Sequence, residues 1–257
     1  MPATLPSRGY AVVFLGLASV TVLAWIYLIR GAGLQMNEMD MGGGQVMATP
    51  PIWTPGYAAA VFIMWAVMMA AMMLPSATPA VLATADRAAI ADDESNGSPA
   101  AIFFAAGYLA IWMGFSLAAT LVQWMLDRAG LLSPSMATRS GSISVLILLA
   151  AGLYQLTPLK RTCLEHCYSS LDCVGASRNG GGIPNFKAGI RYGRFCLGCC
   201  WMLMGLLFVG GLMNLYWIAA LAMLVFVEKT VPWGGRTARL AGIGLIAWAT
   251  VATARGI

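Results

Sequence analysis

Residues 56–74 read GYAAAVFIMWAVMMAAMML, a run of 19 residues without a single charge. A helix needs about 20 apolar residues to cross the hydrocarbon core of a bilayer. Over the whole chain of 257 residues, 60% are hydrophobic and only 10% are charged, whereas soluble domains carry roughly 25% charged residues. The sequence therefore predicts an all-α, polytopic transmembrane helix bundle that forms a single integral membrane domain over residues 1–257.

Further apolar runs set the predicted number of spans. The predicted spans are residues 10–29, 56–74, 100–125, 143–156, 195–212, 215–227 and 240–254. The segment 195–227 allows two interpretations: one long helix, which gives six spans, or a hairpin turning at Gly210, Gly211 and Asn214, which gives seven. The run at residues 56–74 is followed by Pro75 and Pro79, which are predicted to end that helix.

The distribution of basic residues favours about seven spans, with six as the alternative. Seven spans place eleven of the fifteen Lys and Arg residues on the side of the N-terminus, whereas six spans place nine there. Because excess Lys and Arg marks cytoplasmic loops, we predict a multi-pass protein of the inner (plasma) membrane with a cytoplasmic N-terminus. The same bias accounts for the net charge of +5, so the lipid bilayer, and no nucleic acid, is the predicted partner.

Two loops differ in composition from the spans. The outer loop, residues 31–55, is rich in Met and Gly and is predicted to be a flexible flap. The inner loop, residues 157–194, holds six of the fifteen basic residues, the single histidine and three of the six cysteines. Any chemistry is expected to concentrate in the inner loop.

The inner loop contains a C-x-x-H-C motif formed by Cys163, His166 and Cys167, and Cys173 follows six residues later. In a helix, positions three and four apart lie on one face, so the three motif side chains are predicted to converge. Thiolate and imidazole are ligands for Cu(I), Zn(II) or iron–sulfur centres. A disulfide is the alternative if the loop lies in an oxidising compartment.

Cys196, Cys199 and Cys200 repeat the same spacing at the start of the fifth predicted span. The predicted topology brings them to the same membrane face as the C-x-x-H-C motif, so the two groups of cysteines are expected to meet at one end of the bundle. The alternative is that these cysteines are simply small apolar residues packed within a helix.

Methionines are concentrated early in the chain, with nine of seventeen between residues 36 and 73. Met64, Met68 and Met72 are spaced by four and line one side of the second predicted span. Thioethers are ligands for Cu(I), so this stripe is predicted to form a path for the ion toward the inner cysteines. Adaptable hydrophobic packing is the alternative explanation.

Three motifs together resemble a known family. They are MWAVMMAAMMLPS at residues 64–76, CLEHC at residues 163–167 and GCCWMLM at residues 198–204. The combination resembles a bacterial family described as predicted metal-binding integral membrane proteins, a domain of unknown function, over about residues 53–233. The resemblance implies metal binding in the inner membrane.

The sequence therefore predicts an integral membrane protein that binds a soft metal ion for transport, storage or delivery, with Cu(I) favoured and Zn(II) as the alternative. A metal-delivery protein or a membrane partner subunit is the expected protein partner. Two other functions stay open: a thiol–disulfide or metal-dependent oxidoreductase, and a non-catalytic assembly subunit. No P-loop or nucleotide fingerprint is present, and the sequence leans against an enzyme without deciding the question. The predicted metal ligands are Cys163, His166, Cys167, Cys173, Cys196, Cys199, Cys200, Met64, Met68 and Met72.

Overall fold

The computed structural model describes residues 8–31, 38–40, 46–48, 52–92, 97–133, 135–168, 182–231 and 233–255. The elements are α1 (Arg8–Ile29), β1 (Glu38–Asp40), β2 (Val46–Ala48), α2 (Pro55–Asp92), α3 (Gly97–Arg128), α4 (Gly141–Gln155), α5 (Pro158–Tyr168), α6 (Gly182–Gly205), α7 (Leu207–Gly210), α8 (Leu215–Thr230) and α9 (Gly234–Ala254). The two short strands pair antiparallel within the predicted outer loop. The remaining elements are helices, which confirms the predicted helix bundle.

Within the described ranges, five helical stretches are long and apolar enough to cross a membrane, against the seven, or alternatively six, that the sequence predicts. They are Gly9–Ile29, Pro55–Ala89, Ser98–Arg128, Gly182–Gly210 and Gly234–Ala254. A sixth is reached only if α4 and α5, which meet at a bend of 64°, count as one broken span. The predicted sixth span, residues 215–227, corresponds to α8, whose 16 residues extend about 24 Å. That length is shorter than the hydrocarbon core of about 30 Å.

Residues 195–227 form the predicted hairpin rather than one long helix. The helical path breaks at Gly211, whose φ of +87° suits glycine because it lies in the left-handed region. Asn214 then caps α8, since its side-chain oxygen accepts a hydrogen bond from the backbone N–H of Trp217 at 3.2 Å. Near the end of α8, Lys229 contacts Cys196 in α6. Helix α8 therefore runs back along α6.

Helix α2 does not end at the prolines as predicted. It continues through Pro75 and Pro79 to Asp92, over 38 residues in all. Hydroxyl groups in this stretch donate to backbone carbonyls: Ser76 to Met73 O and Thr78 to Leu74 O, each at 2.9 Å. Such bonds are among the features that let transmembrane helices tolerate proline.

The predicted inner loop is largely helical where the structure describes it. Helix α5 begins at Pro158, a residue suited to the first helical position. The Thr157 hydroxyl accepts a hydrogen bond from the backbone N–H of Lys160 at 3.3 Å, which caps the helix. The first half of α6 also lies within residues 157–194, while residues 169–181 lie outside the described ranges. The two helices pack against each other, which positions the cysteines.

Helices α3 and α6 approach so closely that glycine is needed on both. A Cβ atom on Gly107 of α3 would lie 2.1 Å from the carbonyl oxygen of Phe186. A Cβ atom on Gly189 of α6 would lie 2.0 Å from the carbonyl oxygen of Phe104. Small residues allow this approach between membrane helices. The contact brings Tyr108 of α3 to within 3.1 Å of Cys196 of α6.

We expect Gly107→Ala to destabilise the bundle by about 1–3 kcal/mol, because the added methyl group would force α3 and α6 apart. Gly114→Ala is the matched control, since it lies on the same helix and a Cβ atom there would enter open space. Thermal unfolding of both variants in detergent would test this. Equal midpoints for the two variants would contradict the close contact.

Candidate metal centre

The two groups of cysteines meet where α5 packs on α6, as the sequence predicted. The Cys167 and Cys199 thiols contact each other. Cys163 lies against Gly198, where a Cβ atom would be only 3.1 Å from its sulfur. Cys167 and Cys199 are buried and Cys163 is half-buried. The absence of a side chain at Gly198 therefore lets α5 bring its thiols to α6.

A second group of sulfur atoms surrounds the ammonium of Lys229. The Nζ atom of Lys229 lies 2.8 Å from Cys196 Sγ, 3.8 Å from Cys200 Sγ and 3.8 Å from Met73 Sδ. These four side chains come from α2, α6 and α8, and none is more than 5% exposed. We call Met73, Cys196 and Cys200 the sulfur centre.

Tyr108 joins the sulfur centre from α3. Its hydroxyl group donates a hydrogen bond to the carbonyl oxygen of Met73 at 3.2 Å and lies 3.1 Å from Cys196 Sγ. The Tyr108 ring is fully buried and packs near the rings of Trp112 and Tyr192. This aromatic wall keeps the sulfur centre away from solvent and lipid on the α3 side.

The sulfur centre is not an assembled metal site of the usual His, Cys and carboxylate type. Within the described parts of the chain, no three such side chains come together in a way that could hold an ion. One reason is that the Cys199 and Cys200 thiols donate to the carbonyl oxygen of Cys196 at 3.0 and 2.9 Å. A group of three sulfur ligands arises only when the thioether of Met73 is included.

His166 does not share the environment of Cys163 and Cys167. Its ring stacks on Phe195 with centroids 4.7 Å apart and an interplanar angle of 15°, and its Nδ1 atom lies 2.8 Å from the carbonyl oxygen of Thr162. The side chain is exposed and lines a cavity of about 1110 Å³. The predicted convergence of all three motif side chains is therefore not seen, because the helix turns His166 toward the cavity and Cys167 toward α6.

The remaining predicted ligands fall into two groups. Met64, Met68 and Met72 are fully buried in α2, but Met73, on the adjoining strip, is the α2 methionine whose sulfur lies beside Lys229. Cys173 lies outside the described residues. Met64, Met68 and Met72 thus lie in the core, and their role as a path for the ion stays a prediction.

Next to the sulfur centre, α8 carries a buried ion pair. Lys160 Nζ lies 2.7 Å from Glu228 Oε2, and the two side chains are 1% and 2% exposed. Gln155 donates from Nε2 to the other carboxylate oxygen at 2.9 Å. These residues line the same cavity as His166. Glu228 and Lys229 are consecutive in α8. The Glu228 carboxylate contacts Lys160 of α5, whereas the Lys229 ammonium contacts Cys196 of α6.

Sequence analysis missed Lys160, Glu228 and Lys229 as buried residues because it assigned the basic ones to loops. The available signal was the Glu228-Lys229 pair directly after an apolar run, since charged residues in such positions are costly unless they are paired or functional. Tyr108 and Met73 carried no distinguishing signal, because aromatic residues and methionines are common throughout the spans.

Apolar helices compatible with membrane residence surround a buried group of two thiols and a thioether. The chain belongs to the PpoB2 family, described as a copper chaperone, whose model matches residues 62–252. That range contains the sulfur centre, Lys229 and all the described cysteines. No curated protein and no solved structure matches the chain. The family match supports the relation to copper that the thiol and thioether ligands predicted.

Proposed function

We propose that this protein binds Cu(I) within the membrane at the sulfur centre and delivers it as a chaperone. The observation that supports this most directly is the convergence of the Met73, Cys196 and Cys200 sulfurs around one positively charged atom. Thiolate and thioether ligands favour Cu(I), whereas oxygen ligands favour Ca(II) or Mg(II). Membership of a copper chaperone family points to the same metal.

The cysteines between α5 and α6 are proposed as a second binding site for the ion. The Cys167–Cys199 contact and the half-buried Cys163 lie where α5 packs on α6, so they share α6 with the sulfur centre. A Cu(I) ion would pass between the two binding sites by exchanging one thiolate ligand for the next. Met64, Met68 and Met72 are proposed to line the approach through α2.

The setting of this function is also proposed. The protein would lie in the inner (plasma) membrane with its N-terminus in the cytoplasm, as the distribution of basic residues favours. The ion would be exchanged with a delivery protein or a membrane partner subunit. The half-buried Cys163 and the exposed His166 on α5 are the members of the predicted ligand set that such a partner would reach first.

Metal content tests the proposed function. Protein purified in detergent under reducing conditions, with copper and zinc both offered, is expected to carry near-stoichiometric copper and little zinc by elemental mass spectrometry. A variant with Cys167, Cys196, Cys199 and Cys200 changed to Ser is expected to lose the copper. A quadruple Ser variant that retains the copper of a folded wild type would refute thiolate binding.

A thiol–disulfide relay is the second candidate, and the Cys167–Cys199 contact is the observation that favours it. In such a relay the two thiols would form a disulfide and pass two electrons and two protons to an acceptor such as a quinone. Thiol counting after exposure to a quinone separates the candidates. Loss of two thiols without any bound copper in the starting protein would favour the relay.

A further inference from the structure

The ammonium of Lys229 occupies the point on which the sulfur centre converges. It lies closest to Cys196 and equally far from Cys200 and Met73. Among the described residues no carboxylate forms an ion pair with it, because the adjacent Glu228 pairs with Lys160 instead. A buried charge is costly without compensating contacts. The sulfur atoms therefore supply most of the polar environment that holds this cation.

We propose that the Lys229 ammonium occupies the copper-binding position of the sulfur centre in the metal-free protein. Cu(I) binds to Met73, Cys196 and Cys200 in place of the ammonium, and Lys229 withdraws as the ion enters. This inference rests on the proposed function and specifies which ligands hold the ion. It assigns to Lys229 the role of an internal competitor that sets how tightly copper is held.

The spacing around Lys229 suits an exchange of this kind. The sulfurs stand 2.8 to 3.8 Å from Nζ, whereas bonds from sulfur to a metal of similar size are about 2.3 Å long. The ligands must therefore close in by up to about 1.5 Å when copper replaces the ammonium. Met73 has three rotatable side-chain bonds for this movement. Cys200 gives up its hydrogen bond to the Cys196 carbonyl oxygen.

The charge of the displaced group favours Cu(I) over Zn(II). Cu(I) carries the same single charge as the ammonium that it displaces, and the Cys200 thiol releases its proton to the solvent as it becomes a thiolate ligand. A divalent ion would add a positive charge in a region from which water is excluded, and such charges are expensive to bury. Zn(II) also takes four ligands in structural sites, one more than the sulfur centre offers.

The structure of the Lys229 side chain itself allows the ammonium to withdraw. This long, flexible side chain carries a compact charge at its end, so the ammonium can withdraw while the α8 backbone keeps its position. Copper and the ammonium cannot occupy the sulfur centre together, because two positive charges at this separation repel strongly in a low-dielectric interior. Removing the ammonium should therefore strengthen copper binding.

The direct test is Lys229→Leu, which removes the charge without adding a ligand atom. Cu(I) affinity is measured anaerobically in detergent by competition with a chromogenic chelator. We expect the variant to bind Cu(I) more tightly by about tenfold or more, because the buried competing charge is gone. Lys187→Leu is the matched control, since it removes an exposed positive charge from α6 and is expected to leave the affinity unchanged. Unchanged or weaker binding by a folded Lys229→Leu protein would overturn the inference.

Two further variants decide the matter if Lys229→Leu does not fold. Met73→Leu and Cys200→Ser are each expected to weaken binding by about tenfold or more, because each removes one of three ligands. If both leave the affinity unchanged while Cys167→Ser or Cys199→Ser abolishes it, the copper binds between α5 and α6; the inference then fails and the proposed function stands. A folded wild-type protein that binds no copper overturns both.

Discussion

Lys160→Met is expected to lower the free energy of unfolding by about 3–5 kcal/mol, because it leaves the Glu228 carboxylate charged and buried without its partner. The pair is separated by 2.7 Å and both side chains are almost fully buried. Unfolding of the purified protein in mixed micelles, followed by circular dichroism, would measure the loss. Few single substitutions in this chain should have a larger effect on stability.

A double variant separates the cost of an unpaired charge from the cost of losing Lys160 itself. Lys160→Met combined with Glu228→Gln removes both charges and should recover most of the stability. Glu165→Gln is the exposed comparison, because it breaks the Arg161–Glu165 pair, whose side chains are 63% and 64% exposed. That change is expected to cost no more than about 1 kcal/mol. A double variant as unstable as the single one would show that the ion pair is not what matters.

Cys196→Ser is expected to weaken Cu(I) binding by about a hundredfold or more, since even partners that only support a metal ligand change affinity by 10–100-fold. Cys196 has the shortest contact to Lys229, and its sulfur also lies beside the Tyr108 hydroxyl group. No other cysteine has contacts to both groups among the described residues. Competition against a chromogenic Cu(I) chelator measures the change.

Met204→Leu is the control for Cys196→Ser, because Met204 is a buried sulfur residue on the same helix, one turn beyond Cys200. The Cu(I) affinity of the Met204→Leu variant is expected to match that of the wild type. If instead Cys163→Ser abolished binding and Cys196→Ser did not, the ion would bind at the α5 motif rather than at the sulfur centre. Cys163→Ser and Cys196→Ser therefore distinguish binding at the α5 motif from binding at the sulfur centre.

Most of the fold could be predicted because apolar runs report helices directly. The run at residues 56–74 predicted the core of α2, and Gly211 with Asn214 predicted the turn before α8. The described residues hold five helices long and apolar enough to span, or six with the α4–α5 pair, where the sequence predicts seven with six as the alternative; hydropathy does not register that α8 is short or that α4 and α5 meet at a bend. The end of α2 was misplaced because proline is tolerated within membrane helices.

The candidate site was only partly predictable, since spacing within one helix says little about contacts between helices. The predicted topology, rather than the i, i+3, i+4 spacing, brought the two groups of cysteines together, in agreement with the Cys167–Cys199 contact. It gave no means of choosing Met73 over Met72, because that choice depends on how α2 is rotated against α6 and α8. Lys229 was counted as a loop charge, although α8 folds back and buries it against Cys196.

The length of α2 also bears on the depth that the sulfur centre would have in a bilayer. Trp53 and Tyr57 form an edge-to-face pair at the start of the helix, and Trp53 donates to Asp127 at 2.6 Å; such aromatic residues mark a membrane–water interface. Met73 comes 18 residues after Pro55, which corresponds to about 27 Å along the helix axis. For a chain that spans a membrane with Trp53 at one interface, a hydrocarbon core about 30 Å thick would place the sulfur centre close to the opposite surface.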